Sequence, residues 1–446
     1  MLIFAANLTI YLYKFMLSGS VVVIGGGAAG MLAAISAARN GANVTILEKM
    51  ERLGRKVRIT GKGRCNITNT KTWGEFSTHI YPKHNFFKPA FFNFSNSDTV
   101  AFFESIGVKT VTERGERVFP LSEKASDVVD ALSSELERLG VITLLRTRVT
   151  GILTENGVVR ELSAITETQT GKKQIILNPS AIIIATGGLS YPATGSDGDG
   201  YIFAEKSGHK INECTPSLTA LMPAGYSREL EGLRLKNVEL TLYIGRDPVQ
   251  KEMGDLDFTN NGVEGSIGYK ISRKAVKAIK SGNRCSLLID LKPALSNEQL
   301  AARITRELNA ANGISLKFLL KKLLPEQLIS SFIAYSRLDN ESISFGRREK
   351  TVEKLVKSMK SWTMEVESFT SYERAVITAG GVSLDDIYPK SMQSRVVPNV
   401  FFAGEVIDLD GDTGGYNLQI AFSTGYLAGK SAAGYLKSVS EQDSQI

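Results

Sequence analysis

The chain has 446 residues, 43% of them hydrophobic and 22% charged. That make-up excludes a disordered, fibrous or disulfide-built protein, and the length suits two or three domains with a full core. A net charge of +7 and a pI of about 9.0 admit nucleic acid, membrane surfaces or anionic ligands as partners.

The charge is spread along the chain with no long basic run, so the plainer reading is an ordinary surface around an anionic ligand. Cys65, Cys214 and Cys285 lie far apart without a CxxC pair. No redox-active disulfide and no metal cluster is expected, and a reducing, cytoplasmic setting fits.

The opening segment MLIFAANLTIYLYKFML is apolar but carries Lys14 late. It lacks the basic start and cleavage site of a signal peptide. It also falls short of the about 20 apolar residues of a spanning helix, so no stable membrane insertion is expected. Residues 1–15 read as an upstream-start extension before Met16, with a short interfacial anchor as the alternative.

Val21–Glu48 then reads VVVIGGGAAGMLAAISAARNGANVTILE. It predicts strand, glycine turn, helix, strand and acid, the dinucleotide-binding βαβ unit. Gly25 allows the turn out of the strand. Gly27 lets a pyrophosphate meet bare backbone, and Gly30 lets the helix lie close to the sheet. Ala28 and Ala29 open the helix, whose free N–H groups and positive dipole end suit phosphates. Glu48 stands where a carboxylate accepts ribose hydroxyls and repels a 2′-phosphate, which favours FAD or NAD over NADP.

Residues 51–70, ERLGRKVRITGKGRCNITNT, form a loop dense in glycine and cations. Lys49, Arg55, Lys56, Gly63, Arg64, Cys65 and Asn66 are candidate cofactor contacts, because such loops wrap phosphates with N–H groups and charge. In isolation a solvated basic loop would be the plainer choice. Cys65 is read as a small packed residue, since it has no partner cysteine.

The segment GRKVRITGKGRCNITN, the fingerprint before it, ATGGLSYPATGSDGDGY at 185–201 and FFAGEVIDLDGDTGGYNLQIAFSTG at 401–425 carry a resemblance over roughly residues 20–435. The chain resembles the YhiN/BaiN/aminoacetone-oxidase-like family of FAD-dependent flavoproteins. The resemblance implies FAD and an oxidoreductase acting on a small or steroid-like substrate, and with no His or Cys in a clear flavin-attachment setting the FAD is expected to be non-covalent. It leaves reductase and amine-oxidase activities both open. It also implies a contact from Val149 to the adenine.

Further along, 98–107 and 126–139 read as helices and Val141–Leu145 as a strand. Residues 151–180 alternate as an antiparallel hairpin set. Ala181–Ala185 is an apolar strand running into Thr186-Gly187, a second place where backbone nears a ligand. Gly195–Gly200 has the wrong order for a second nucleotide fingerprint. A nicotinamide donor, if used, would visit transiently. Tyr191 is a proton donor, a stacking wall or packing.

Residues 215–292 read as short strands of a small barrel or sandwich, and 296–361 as helices opened by Ser296 as N-cap. The lysines of those helices read as a solvated face, with a nucleic-acid or membrane surface as the alternative. The core returns with Val400–Glu405, in which Gly404 and Glu405 face ribityl hydroxyls. Gly415 then precedes a last helix from Tyr416 to Lys430, whose Asn417, Leu418 and Gln419 would meet the flavin pyrimidine edge. No catalytic constellation is legible.

The expected fold class is α/β, a Rossmann-like FAD-binding domain with an inserted β-barrel-like subdomain and a helical subdomain. The expected boundaries are an extension over 1–19, FAD-binding parts over 20–212 and 371–437, and a tail over 438–446. The β insert spans 213–295 and the helical insert 296–370. The partners expected are a small-molecule substrate, with no nucleic acid; an RNA-associated flavoprotein is the alternative from another class.

Overall fold

The computed structural model describes residues 20–310, 315–339 and 348–443. The expectation for residues 1–15 lies outside the described residues. The chain divides into two compact units. One is built from the residues up to Thr215 together with those from Ile377 onward, the other from Pro216–Val376.

The first unit is organised on a five-stranded parallel sheet, ordered Val400–Phe402, Ala181–Ile184, Val21–Ile24, Val44–Leu47 and Ile142–Leu144. Every residue of the first four strands is buried. A parallel sheet covered on both faces has no solvent side, which is why these segments read as unbroken apolar runs. Val21 lies beside Val44 on one side and Ala181 on the other, so the fingerprint strand is central.

Its helix spans Ala28–Arg39 and is buried from Ala29 to Ala37. The last helix, Tyr416–Asp443, runs well past the expected Lys430. It meets the fingerprint helix through two glycines one turn apart. A Cβ on Gly425 would stand 2.3 Å from Ala29 O, and one on Gly429 would stand 2.0 Å from Ala33 O. Only bare backbone permits that approach.

The hairpin set is a three-stranded antiparallel sheet, Thr147–Glu155, Val158–Thr168 and Gly171–Leu177. A helix over His84–Asn93, absent from the sequence reading, buries Phe87 and Phe91. Trp73 and Phe76 pack on Phe91, each with ring centroids 5.0 Å away.

The second unit holds a closed barrel of six strands, ordered Leu221–Pro223, Gly262–Glu264, Asp247–Thr259, Arg234–Ile244, Cys285–Asp290 and Trp362–Phe369. Two details differ from the sequence reading. A helix of 16 residues, Gly265–Lys280, sits inside the stretch read as strands. The strand Trp362–Phe369 follows the helical stretch yet pairs with Cys285–Asp290 in the barrel.

The expected helices appear at Asn297–Ala310, Leu316–Lys321, Ile329–Ser336 and Arg348–Lys360. Ser296 caps the first reciprocally. Its Oγ accepts the Gln299 N–H at 3.2 Å, and Gln299 Oε1 accepts the Ser296 N–H at 2.9 Å. No helix among the described residues is long and apolar enough to cross a membrane.

Candidate cofactor site

The site begins where strand Val21–Ile24 ends. Gly25 has φ +104°, and a Cβ there would lie 2.6 Å from Ala185 O. A Cβ on Gly30 would fall 1.9 Å from Gly25 O. Gly27 is different, since a Cβ there would meet nothing within 4 Å. That open space borders a helix start with no side-chain cap and no acid in its first turn. Uncapped N–H groups beside empty space suit an anion.

Glu48, just beyond the second strand, is buried and accepts N–H groups from Gly26 at 2.7 Å and Met50 at 2.8 Å. Burial pushes its carboxyl up, while those two amides and then the charges of Lys49 and Arg55 pull it down. One amide on each oxygen leaves lone pairs for hydroxyl donors. Amides for a diphosphate and a carboxylate for ribose hydroxyls make a donor set that fits a dinucleotide.

The basic loop divides its cations. Lys49 reaches Asp199 at 2.8 Å and also Asp197, while Arg148 holds Asp199 at 2.6 Å. The acids of the Gly195–Gly200 run are thus occupied by cations of the first unit. Arg55 pairs with Glu51 at 2.8 Å. Arg64 pairs with Glu113 and with Glu123, and lies 4.2 Å over the Phe119 ring. Gly63 has open space where a Cβ would sit.

Cys65 is fully buried at φ +62°. Burial pushes its thiol up to about 12. Asn66, with its amide turned to satisfy its neighbours, donates to Thr68 O and Val118 O and accepts the Gly415 N–H at 3.0 Å.

Lys56 Nζ reaches Glu405 Oε2 at 2.7 Å, and Glu405 Oε1 accepts the Thr378 N–H at 2.8 Å. Glu405 is therefore a hub rather than a free acceptor. Gly404 packs on the fingerprint helix, where a Cβ would lie 2.7 Å from Ala29 Cβ, and its N–H donates to Thr424 Oγ1 at 2.9 Å. A Cβ on Gly415 would lie 2.4 Å from Thr68 O. The structure thus joins Ala29, Lys56 and Asn66 to Gly404, Glu405 and Gly415.

Other sequence candidates have their side chains committed elsewhere. Asn417 Oδ1 accepts the Gly411 N–H at 2.8 Å, and its Nδ2 donates to Gly411 O at 2.7 Å. Gln419 is fully buried, accepts the Thr68 hydroxyl at 2.6 Å and donates to Phe94 O at 3.1 Å. Its own N–H goes to Gly415 O. Leu418 packs against the core. What Asn417 and Leu418 offer a ligand is the backbone N–H of a helix start, unpaired among the described residues.

Val149 is buried and paired with Ala164. Thr186 and Gly187 follow the strand Ala181–Ile184, and Gly187 adjoins Ser196 Oγ.

Sequence reasoning left Thr378 out of the candidate site residues, although the family resemblance puts the segment Thr378–Val382 on the substrate side of the flavin. The Thr378 hydroxyl accepts N–H groups from Leu189 at 2.8 Å and Ser190 at 3.1 Å, fixing the turn after Gly188. Sequence reasoning also missed the pair of His79 Nδ1 with Asp412 Oδ2 at 2.8 Å, beside the Tyr416 ring at 4.5 Å. The two acids inside the glycine-rich DGDTGG were the available signal for the second.

Fold and site together define an FAD-dependent oxidoreductase built on a Rossmann-type domain. The chain belongs to the family described as HI0933-like protein Rossmann domain, which matches residues 19–431. It is 30% identical over 415 residues to the 3-dehydro-bile acid delta(4,6)-reductase of Clostridium scindens, covering 92% of this chain and 98% of the relative. It is 28% identical over 410 residues to the ribosomal RNA dihydrouridine synthase of Haemophilus influenzae, covering 91% and 96%. Among solved structures, 3-ketosteroid delta1-dehydrogenase from Sterolibacterium denitrificans shares the fold at TM-score 0.51. That match has 13% identity and covers 93% of this chain and 99% of the other.

Proposed function

We propose that this protein is an NAD(P)H-linked reductase of a carbon–carbon double bond conjugated to a carbonyl, acting on a small or steroid-like molecule. The observation that carries the reading is the junction of Ala29, Lys56 and Asn66 with Gly404, Glu405 and Gly415. It gives one unit the means to hold both ends of an extended dinucleotide. The bile-acid reductase relative supports the substrate class.

In this reading Gly25, Gly27, Ala28, Ala29 and Gly30 bind the pyrophosphate, and Glu48 the adenosine ribose. Lys49, Arg55, Lys56, Gly63, Arg64, Cys65 and Asn66 shape the loop around it. Val149 borders the adenine, and Thr186 and Gly187 the cofactor's flank. Gly404 and Glu405 serve the ribityl chain, while Gly415, Asn417, Leu418 and Gln419 build the helix start at the ring. When bound, FAD supplies hydride chemistry at its N5. The chain's residues orient it and place N–H groups where negative charge collects.

A second reading has its own observation. The Haemophilus relative is named for dihydrouridine in ribosomal RNA, and uridine likewise carries a double bond conjugated to a carbonyl. A net charge of +7 suits a polyanion.

Anaerobic stopped-flow mixing with NADH and NADPH tests the first half of the proposal, with rapid loss of flavin absorbance expected. The reduced protein is then offered a steroid enone, or ribosomal RNA lacking dihydrouridine. Reoxidation by the enone supports the first reading and by the RNA the second. No bleaching by either nicotinamide would sink the NAD(P)H link.

A further inference from the structure

The second unit carries a cavity of about 270 Å³ that has no part in the cofactor site. Its apolar wall includes Leu235, Val238, Leu291 and Leu328, all buried. Its polar wall is Arg234, Lys236 and Lys292, and no carboxylate is among its lining residues.

The strand beneath it is built irregularly. In a regular strand Leu235 and Lys236 would project to opposite faces. Strand Arg234–Ile244 changes register between Leu235 and Val238, and Asn237 stands at φ +51°. The Asn237 N–H turns to Asp255 Oδ1 at 3.3 Å. This bulge brings Leu235, Lys236 and Val238 onto one cavity. Bulges that re-aim side chains, and residues held at positive φ, concentrate at ligand sites.

The opposite wall is fixed as firmly. The Lys292 N–H donates to Asp290 Oδ1 at 2.8 Å, and its carbonyl accepts from Lys360 Nζ at 3.1 Å. Lys360 Nζ also holds Asp290 Oδ2 at 2.6 Å, so that carboxylate is neutralised by a cation that is not one of the cavity's lining residues. Arg234 is paired with Asp257 at 2.7 Å. Among the described residues, no carboxylate pairs with the ammonium of Lys236 or Lys292. Burial, and after it the charge of Arg303, hold the Lys292 ammonium below its ordinary range. An anion beside it would reverse that.

We propose that this cavity binds a small amphipathic carboxylate, its apolar body against the leucines and its head on Lys236 and Lys292. The volume lies just under the ~300–1,000 Å³ of drug-sized pockets, which limits the body to a medium-length chain or a single ring system.

Isothermal titration of the full-length, flavin-loaded protein tests this with octanoate, octan-1-ol and inorganic phosphate. Saturable octanoate binding is expected, with the alcohol and phosphate each at least tenfold weaker. Lys292→Met should weaken octanoate at least tenfold and Lys236→Gln several-fold, while Lys172→Gln leaves it unchanged. The exposed Lys236 variant keeps the test open should Lys292→Met misfold.

Octanol binding as tightly as octanoate overturns the proposal, as does phosphate equalling octanoate. So does wild-type affinity in a folded Lys292→Met variant or, if that variant misfolds, in Lys236→Gln. None of these outcomes bears on flavin reduction by a nicotinamide.

Discussion

Lys56 Nζ lies 2.7 Å from Glu405 Oε2, across 349 residues of chain. The side chains are 22% and 12% exposed, so neither charge is fully solvated. Removing one partner strands the other, which costs more than removing both. Lys56→Met and Glu405→Gln should each lose about 2 kcal/mol or more in urea melts of flavin-free protein. The double variant should recover part of that loss. Additive losses would show that the pair is not coupled.

Gly27 and Gly30 should respond differently to the same methyl group. At Gly27 the added Cβ meets no protein atom, while at Gly30 it meets Gly25 O at 1.9 Å. Gly27→Ala should melt within about 1 kcal/mol of wild type yet retain flavin at least tenfold less tightly. Gly30→Ala should lose both stability and flavin. Flavin titration beside thermal melting separates the two, and unimpaired flavin retention in Gly27→Ala would move the phosphate site elsewhere.

Glu135 is buried between Arg138 and Arg39, with contacts of 2.6 Å to each. Arg138 first, then Arg39, hold its carboxyl down to about 2 from an ordinary 4.5. A carboxyl depressed on folding stabilises above its unfolded value, and that contribution is lost as pH falls through the folded one. Stability should therefore drop between about pH 4.5 and 2, by about 2 kcal/mol at most because both arginines reach solvent. Glu135→Gln should flatten that part of the stability–pH curve.

Cys65 should be chemically silent. Its thiol is fully buried and pushed up to about 12, and the thiolate is the reactive form. A disulfide reagent at pH 8 should label Cys65 only after denaturation. Cys65→Ala should keep rapid flavin bleaching by the nicotinamide donor. Bleaching slowed a hundredfold would assign the thiol a chemical role.

The βαβ unit was legible because its signal is local. Val21–Ile24 announces a strand covered on both faces, and Gly30 answers a constraint only five residues away, the carbonyl of Gly25. The barrel was legible in kind but not in membership. Strand Trp362–Phe369 pairs with Cys285–Asp290 across the whole helical stretch, and no periodicity encodes a pairing at that separation. Helix Gly265–Lys280 hid among strands, although Ile267, Ile271, Ala275 and Val276 keep helical spacing on its buried side.

Around the site, residue type alone did not say whether a polar side chain faces a ligand or the protein. Asn417 and Gln419 look like ligand contacts, yet their amides hold the 411–412 turn and the Phe94 carbonyl. Glu405 was singled out as an acceptor, but its cationic partner could be found only by folding the chain.

The sheet's outer strand Val400–Phe402 and the helix Tyr416–Asp443 also set an order of events at the ribosome. Until they emerge, Ala181–Ile184 keeps an unpaired edge, and Ala29 and Ala33 have no glycines to close over them. Translation of the intervening stretch takes roughly ten to forty seconds at ordinary rates of protein synthesis. During that interval the nascent chain presents an apolar seam suited to chaperones, and messages truncated before codon 400 should yield insoluble product.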